Sequence, residues 1–325
     1  MIYRGLAAVA TALLCATCAA ADAPATDAYP TRPVRMIVAQ AAGGNADIVA
    51  RAFAAALSDR LQQSIVVDNR PGASGIIATE IAVKSPPDGY TLLLVSSAFG
   101  VNPAVRSKLP YDQLRDLAPI TLIGKAPNVL VVGPALNIRS VEELIKAAKA
   151  NPGQITYGSS GVLGSTHLAG ELFDLMTGTK MVHVPYKGAA PALLDVISGR
   201  VSLSFASLPS AIGHMRSGRL RGVAVTSEKR FPLLPELPTV AESGLPGFET
   251  NAWQGLAVPA RTPAAIVKRL NAEAVQTLRQ PAIRQHLAND GAEVVASTPE
   301  EFWTFARSQI AKWTKVVKAA GLKEE

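Results

Sequence analysis

Two Gly- and Ser-rich turns, each set between a strand-like run and a helix-like run, constrain this chain most. The first is Ala39-Gln40-Ala41-Ala42-Gly43-Gly44-Asn45-Ala46-Asp47, after Val34–Val38 and before a helical run over Ile48–Leu61. The second is Tyr157-Gly158-Ser159-Ser160-Gly161-Val162-Leu163-Gly164-Ser165-Thr166-His167, after a strand starting at Ile155 and before a helix over Leu168–Met176. A strand-to-helix turn of this composition gathers backbone N–H groups and hydroxyls at the positive end of a helix, where an anion binds. Two such turns, far apart in sequence, suggest a clamp on one small anionic ligand.

The rest of the chain repeats the alternation. Ser64–Asp68 reads as a β-branched strand, Gly75–Lys84 as a helix and Thr91–Ser96 as a strand. Leu122–Val132 is a long apolar strand region. Ser140 is placed to cap a helix whose first turn holds Glu142 and Glu143. Strands follow over Met181–Pro185, Val201–Phe205 and Arg221–Thr226, separated by helices over Ala190–Ile197 and Ile212–Arg216. Pro232, Pro235, Pro238 and Pro246 mark a long irregular stretch, and Gly255–Val258 is strand-like again. Helices close the chain over Pro263–Leu278, Ile283–Asp290 and Pro299–Ala320, the first and last with Pro after a capping Thr, Thr262 and Thr298. This pattern predicts an α/β fold with a largely parallel sheet. A chain of 325 residues has room for two domains.

Composition and motifs narrow the function. Met1-Ile2-Tyr3-Arg4 is a short basic start, Leu6–Cys18 is apolar, and Ala19-Ala20-Ala21 offers a small-residue cleavage site, so residues 1–21 read as a secretory signal. Both cysteines, Cys15 and Cys18, fall inside it, which leaves a mature chain without disulfides. The charge of +7 is scattered, and aromatics are 5% of the residues, which does not make a nucleic-acid stripe. His167, His183, His214 and His286 are not at metal-ligand spacing. Gly158-Ser159-Ser160-Gly161 is one residue short of a nucleophile elbow, although a triple of Ser160, His183 and Asp195 can be drawn. No Walker or Gly-x-Gly-x-x-Gly pattern appears. Neither a catalytic group nor a metal nor a cofactor is expected.

Binding through the turns is left. Asp47, in the first helical turn, reads either as a carboxylate that orders the loop or as an acceptor for a ligand hydroxyl or ammonium group. Ser165 reads either as a plain N-cap or as a ligand hydroxyl. His167 reads as a hydrogen-bonded structural histidine.

These turns and their surroundings resemble the Bug family, the periplasmic solute receptors of tripartite tricarboxylate transporters. The likeness is carried by Asn69-Arg70-Pro71-Gly72-Ala73-Ser74-Gly75, Pro87-Asp88-Gly89-Tyr90-Thr91, Leu109-Pro110-Tyr111-Asp112, His183-Val184-Pro185-Tyr186-Lys187-Gly188 and Leu237-Pro238-Thr239-Val240-Ala241-Glu242-Ser243-Gly244, with Trp253 and Trp313. It implies a type II, flytrap-like periplasmic binding fold of two α/β domains and a hinge. Residues 29–125 plus 250–325 would form the first domain, with the tail helices packed on it, and 126–249 the second.

Carried over residue by residue, the resemblance implies ligand contacts at Gly44, Asn45, Ala46 and Asp47 in the first turn. In the second turn it implies Ser160, Gly164, Ser165 and Thr166. Ser96, Ser97 and Ala98 would line the first domain, and Lys187, Gly188 and Ala189 would face them. The sequence departs from the family at Ala39 and Gln40, where Pro and an aromatic residue are usual, and at Ala46, where Thr is usual. Gln309 stands where Glu is frequent.

The resemblance therefore implies a monomeric periplasmic receptor that captures a dicarboxylate, tricarboxylate, acidic amino acid or aromatic acid and delivers it to membrane permease subunits. A receptor that presents its ligand to a membrane sensor kinase would use the same cleft. A secreted serine hydrolase using Ser160 is a further alternative.

Overall fold

The computed structural model describes residues 29–40, 42, 45–106, 108–289 and 291–322. The predicted signal segment with its two cysteines, and Gly43 and Gly44 of the first turn, lie outside the described residues.

The chain alternates as its pattern predicts. Strand β1 spans Val34–Val38, helix α1 Asn45–Leu61, β2 Ile65–Asn69, α2 Ile76–Val83, β3 Thr91–Ser96, α3 Ala98–Val105 and β4 Leu117–Val132. Then come α4 Val141–Ala150, β5 Thr156–Ser159, α5 Ser165–Thr177, β6 Val182–Pro185, α6 Ala189–Ile197, β7 Leu203–Ser207, α7 Leu208–Arg216 and β8 Arg221–Val225. Strand β9 spans Asn251–Pro259, α8 Ala264–Arg279, α9 Pro281–Asn289, β10 Glu293–Val294 and α10 Pro299–Ala320.

Strand order is β2-β1-β3-β9-β4-β7-β5-β6, with β10 and β8 also paired to β4. The sheet is mixed rather than largely parallel. Strands β1, β2 and β3 run parallel, as do β5, β6 and β7. The long strands β4 and β9 are antiparallel to each other, β9 to β3 and β4 to β7. Hydrophobic runs identified these strands but carry no information about direction. Here the crossover strands reverse it.

Strand β4 belongs to both halves of the sheet. Its first part pairs with β9 as far as Pro127, opposite Asn251, and its second part pairs with β7 from Asn128, opposite Ser207. The chain passes between the halves along β4 and returns just before β9, so the two passages lie side by side. One buried hydroxyl ties them. Asn128 N–H donates to Thr226 Oγ at 2.8 Å, and that hydroxyl lies 2.6 Å from the Thr250 carbonyl.

Helices cover both faces of each half. Helix α1 buries Val49, Ala50, Phe53, Leu57 and Leu61, a three-and-four spacing that makes one apolar stripe against β1 and the stripe of α8. Each fully buried large side chain in that stripe contributes about 1.5–3 kcal/mol. In the second half, residues of β4 alternate. Leu130 and Val132 face α5, while Val129 and Val131 face α6 and α7.

Helix α10 divides its buried face. Phe302, Trp303 and Ala306 pack with α2 and α3, whereas Trp313, Val316 and Val317 join the cluster built on α5. The expectation that all the tail helices lie on the first part of the chain holds for α8 and α9, and α10 straps the two clusters together. Helix α3, which contains Gly100 and Pro103, has no counterpart among the elements expected from the sequence. Pro103 cannot donate to the Phe99 carbonyl one turn before it, and that carbonyl accepts from the Gln113 side-chain amide instead, so no acceptor is orphaned.

Candidate functional site

The register brings the carboxyl ends of the parallel strands together. Ser96, at the end of β3, is level with Gln254 of β9, which is level with Gly124 of β4. Four residues further along β4, Asn128 is level with Ser207, at the end of β7. β4 runs the same way as β3 and opposite to β7, so the ends of β3 and β7 face each other across residues 124–128. The turns after β1 and β5 lie at these same two sheet ends, where open α/β sheets hold their ligands.

In the first turn, helix α1 begins at Asn45, earlier than hydrophobicity indicated, and the described groups are already partnered. Ala46 N–H donates to Gln40 Oε1 at 3.0 Å. Asp47 is buried, at 3% exposure, and accepts from Arg51 Nε at 3.0 Å and from Asn69 Nδ2 at 2.9 Å. Asn69 Nδ2 also donates to the Gln40 carbonyl at 2.9 Å. Asp47 thus orders the loop. Asn69, the first residue of the segment running to Gly75, ties the turn to Asp47. Gln40, which replaces an aromatic residue usual in the family, closes the turn instead of walling it. Gly44 lies outside the described residues.

In the second turn, helix α5 starts at Ser165 and its N-cap is Gly164, with no side chain capping it. This corrects the reading of Ser165 as N-cap. Helices α4 and α10 differ: Ser140 accepts from Glu143 N–H, and Thr298 with Glu301 forms a capping box. The first backbone N–H groups of α5 therefore point out of the helix without an intrahelical acceptor. Ser160 and Thr166 are drawn to each other. Ser160 N–H donates to Thr166 Oγ1 at 3.0 Å, and the two hydroxyls are 3.0 Å apart. The Ser165 hydroxyl donates to Asn128 Oδ1 at 3.4 Å.

A buried polar stack supports this turn. Leu163 N–H donates to His167 Nδ1 at 3.0 Å, so the neutral His167 carries its proton on Nε2, 3.3 Å from Glu171 Oε1. Tyr157 Oη donates to the same oxygen at 2.6 Å. The His183 ring stacks on His167 with centroids 3.8 Å apart, and its Nε2 is 2.6 Å from Ser159 Oγ. Burial, and then His167 beside it, push the His183 pKa down to about 4, so this ring is neutral near pH 7. Burial works to raise the Glu171 pKa, but hydrogen bonds from His167 and Tyr157 outweigh it and hold the carboxyl below its ordinary range. His167 is structural, as expected. Roles for Tyr157, Glu171 and His183 were not expected, because partners on three separate elements leave no pattern in sequence.

The other expected contacts differ in their freedom. Ser97 Oγ accepts from Trp253 N–H at 3.0 Å and braces α3 against β9. Ser96 and Ala98 are half-buried beside it. Lys187 is exposed, and Gly188 N–H donates to the Ser160 carbonyl at 3.2 Å, which holds the start of α6, with Ala189, beside the second turn. The triple of Ser160, His183 and Asp195 is not assembled. His183 bonds Ser159 instead, and Asp195 accepts from Tyr186 Oη at 2.7 Å and pairs with Arg200. Among the described residues no group of three or more His, Cys, Asp or Glu could hold a metal ion. No helix among them is long and apolar enough to cross a membrane.

Comparison with known proteins agrees with this architecture. The model of the tripartite tricarboxylate transporter family receptor matches residues 49–322. The chain is 38% identical to protein BugT of Bordetella pertussis over 310 residues, covering 95% of each chain. Its structure matches that of R. palustris Rpa4515 with adipate, with a TM-score of 0.80, 39% identity and coverage of 91% of this chain and 99% of that one. It also matches MatC of Rhodopseudomonas palustris with bound malate, with a TM-score of 0.77, 29% identity and coverage of 89% and 100%. Receptors of this family are periplasmic solute-binding proteins. The chain belongs to the tripartite tricarboxylate transporter receptor family, within which its relatives are Bug proteins.

Proposed function

We propose that this receptor captures a small carboxylate between the two turns and delivers it, without chemical change, to transporter permease subunits. Residues 1–21 direct it to the periplasm. Residues 29–125 with 250–325, and residues 126–249, are the two domains that close on the ligand about the paired passages near Pro127 and Asn251. Closure shifts a population between open and closed forms, and the permease reads the closed one. The receptor works as a monomer.

One observation carries the reading: the uncapped start of α5 at the meeting point of the strand ends. Backbone N–H groups there suit a carboxylate and need no cationic side chain. The ligand contacts are Asn45, Ala46 and Asp47 with Gly44 on one side, Ser160, Gly164, Ser165 and Thr166 on the other, and Ser96, Ser97, Ala98, Lys187, Gly188 and Ala189 along the walls. The relatives' adipate and malate make linear dicarboxylates the first ligands to try.

A thermal-shift and calorimetric panel of dicarboxylates, tricarboxylates, acidic amino acids and aromatic acids tests this. A ligand at a hundred times its Kd stabilises the native state by ~2.7 kcal/mol. One or more acids should raise Tm and release heat with a stoichiometry of one. No shift and no heat across the panel would remove the carboxylate reading.

A further inference from the structure

Asn128 carries an inference beyond the two turns. It is 1% exposed, and it stands on β4 where that strand passes between the halves of the sheet. By the strand's alternation it shares a face with Leu130 and Val132, the face that α5 covers, so it puts a primary amide at the end of an apolar row. Its main chain is fixed. Its N–H donates to Thr226 Oγ, and its carbonyl accepts from Thr226 N–H at 2.9 Å. Its side chain reaches Ser165, the first residue of α5, through Oδ1. Its Nδ2 is buried and has no hydrogen-bond partner among the described residues. A buried donor left unmet is costly, so a partner that meets it is favoured.

We infer that Asn128 is a ligand contact, its Nδ2 donating to the anionic group held at the start of α5. This rests on the proposal that the second turn binds a carboxylate. The amide supplies what the helix end lacks, a donor fixed to the hinge strand. A carboxylate seated on α5 would pull on the strand that joins the two halves as well as on the turn. Lys187, the cation among the proposed contacts, is exposed and less suited to holding a buried oxygen.

The experiment uses the purified receptor with adipate and malate as probes, and compares wild type with Asn128→Leu and Asn128→Asp. Calorimetry reads affinity, the ligand-free Tm reads the structural cost, and the Asn128 side-chain NH₂ resonance, assigned by its loss in Asn128→Asp, reads contact. Loss of a hydrogen bond to a charged group should raise Kd roughly 10- to 100-fold in Asn128→Leu. Asn128→Asp, which sets a carboxylate against the ligand's own, should weaken binding further. The ligand-free Tm of Asn128→Leu should not fall, because an orphan donor is removed, and the NH₂ resonance should move on saturation. Affinity within twofold of wild type in Asn128→Leu, or an unmoved resonance at saturation, would overturn the inference while leaving the carboxylate reading intact. Wild-type protein that binds neither probe nor any acid of the wider panel would overturn that reading, and the inference with it.

Discussion

In the first turn, Gln40 lays its side-chain carbonyl on the Ala46 amide, and Asp47, Asn69 and Arg51 close a ring of hydrogen bonds behind it. In the second, α5 begins with no side chain over its amides, and the polar groups, from Tyr157 to His183, lie beneath the turn. Both are Gly-rich links from strand to helix. The first satisfies its helix end with its own side chains, and a carboxylate arriving there must displace Gln40. The second spends its side chains on rigidity and leaves its helix end uncapped, as the proposed carboxylate site requires. Similar composition thus gives one self-satisfied helix end and one open one, which on the proposed function are an adjustable and a preformed contact. The preformed contact should provide most of the affinity for any carboxylate, and the adjustable one should select among them.

The largest expected effect breaks the preformed side. Gly170 of α5 lies so close to the Tyr157 ring that a Cβ would come within 2.3 Å of it. Gly170→Ala should destabilise the protein by about 1–3 kcal/mol, even though alanine favours helix, because the buried ring must shift. It should also weaken carboxylate binding, since His183 stacks on that ring and holds Ser159. Chemical denaturation and calorimetry on the same variant measure the two effects. Unchanged stability and affinity would mean that the stack does not support the turn.

An intermediate effect depends on pH. The folded His183 pKa of about 4 lies below the ordinary value of 6.5, so the unfolded chain takes up the proton more readily. The stability this ring contributes is complete above about pH 6.5, falls as the pH drops through that window, and is spent near pH 4. At 1.36 kcal/mol per pH unit the loss is at most ~3 kcal/mol. The lowered Glu171 pKa acts in the same direction at the acid end. Unfolding free energies measured from pH 7.5 to pH 4.5 should fall, and His183→Gln should flatten the upper part of that curve. The same slope in the variant would place the titration elsewhere.

The smallest effect sharpens the adjustable side. Gln40 is exposed, and Gln40→Ala should change stability by less than about 1 kcal/mol. It frees the Ala46 amide, so carboxylate affinity should rise by a few-fold, and the order of preference across a carboxylate panel should change. Identical affinities for every acid in wild type and variant would show that Gln40 does not compete with ligand.

Legibility differed between fold and site for a physical reason. β1 and β3 were readable to the residue, and Ser140 and Thr298 announced their helices, because these signals depend on neighbours along the chain. The direction of β9, the helix at Ala98 and the division of α10 depend on what packs across the sheet. In the site, the turns and the uncertain role of Asp47 were visible. Asn128 and Thr226 were not, since each looks like an ordinary polar residue at the edge of an apolar strand.

The sequence by itself determined where strands give way to helices, that two Gly-rich turns stand at such places, and, through its scattered motifs, the family to which the chain belongs. Those properties are local, written in hydrophobic period and turn chemistry. Only the tertiary structure decided that the two turns lie at strand ends facing each other across β4, that Gln40 covers one helix end while the other stays open, and that the Asn128 amide is buried without a partner among the described residues. Each of these depends on which distant residue comes within 3 Å or so of a polar atom, and chain spacing does not encode that.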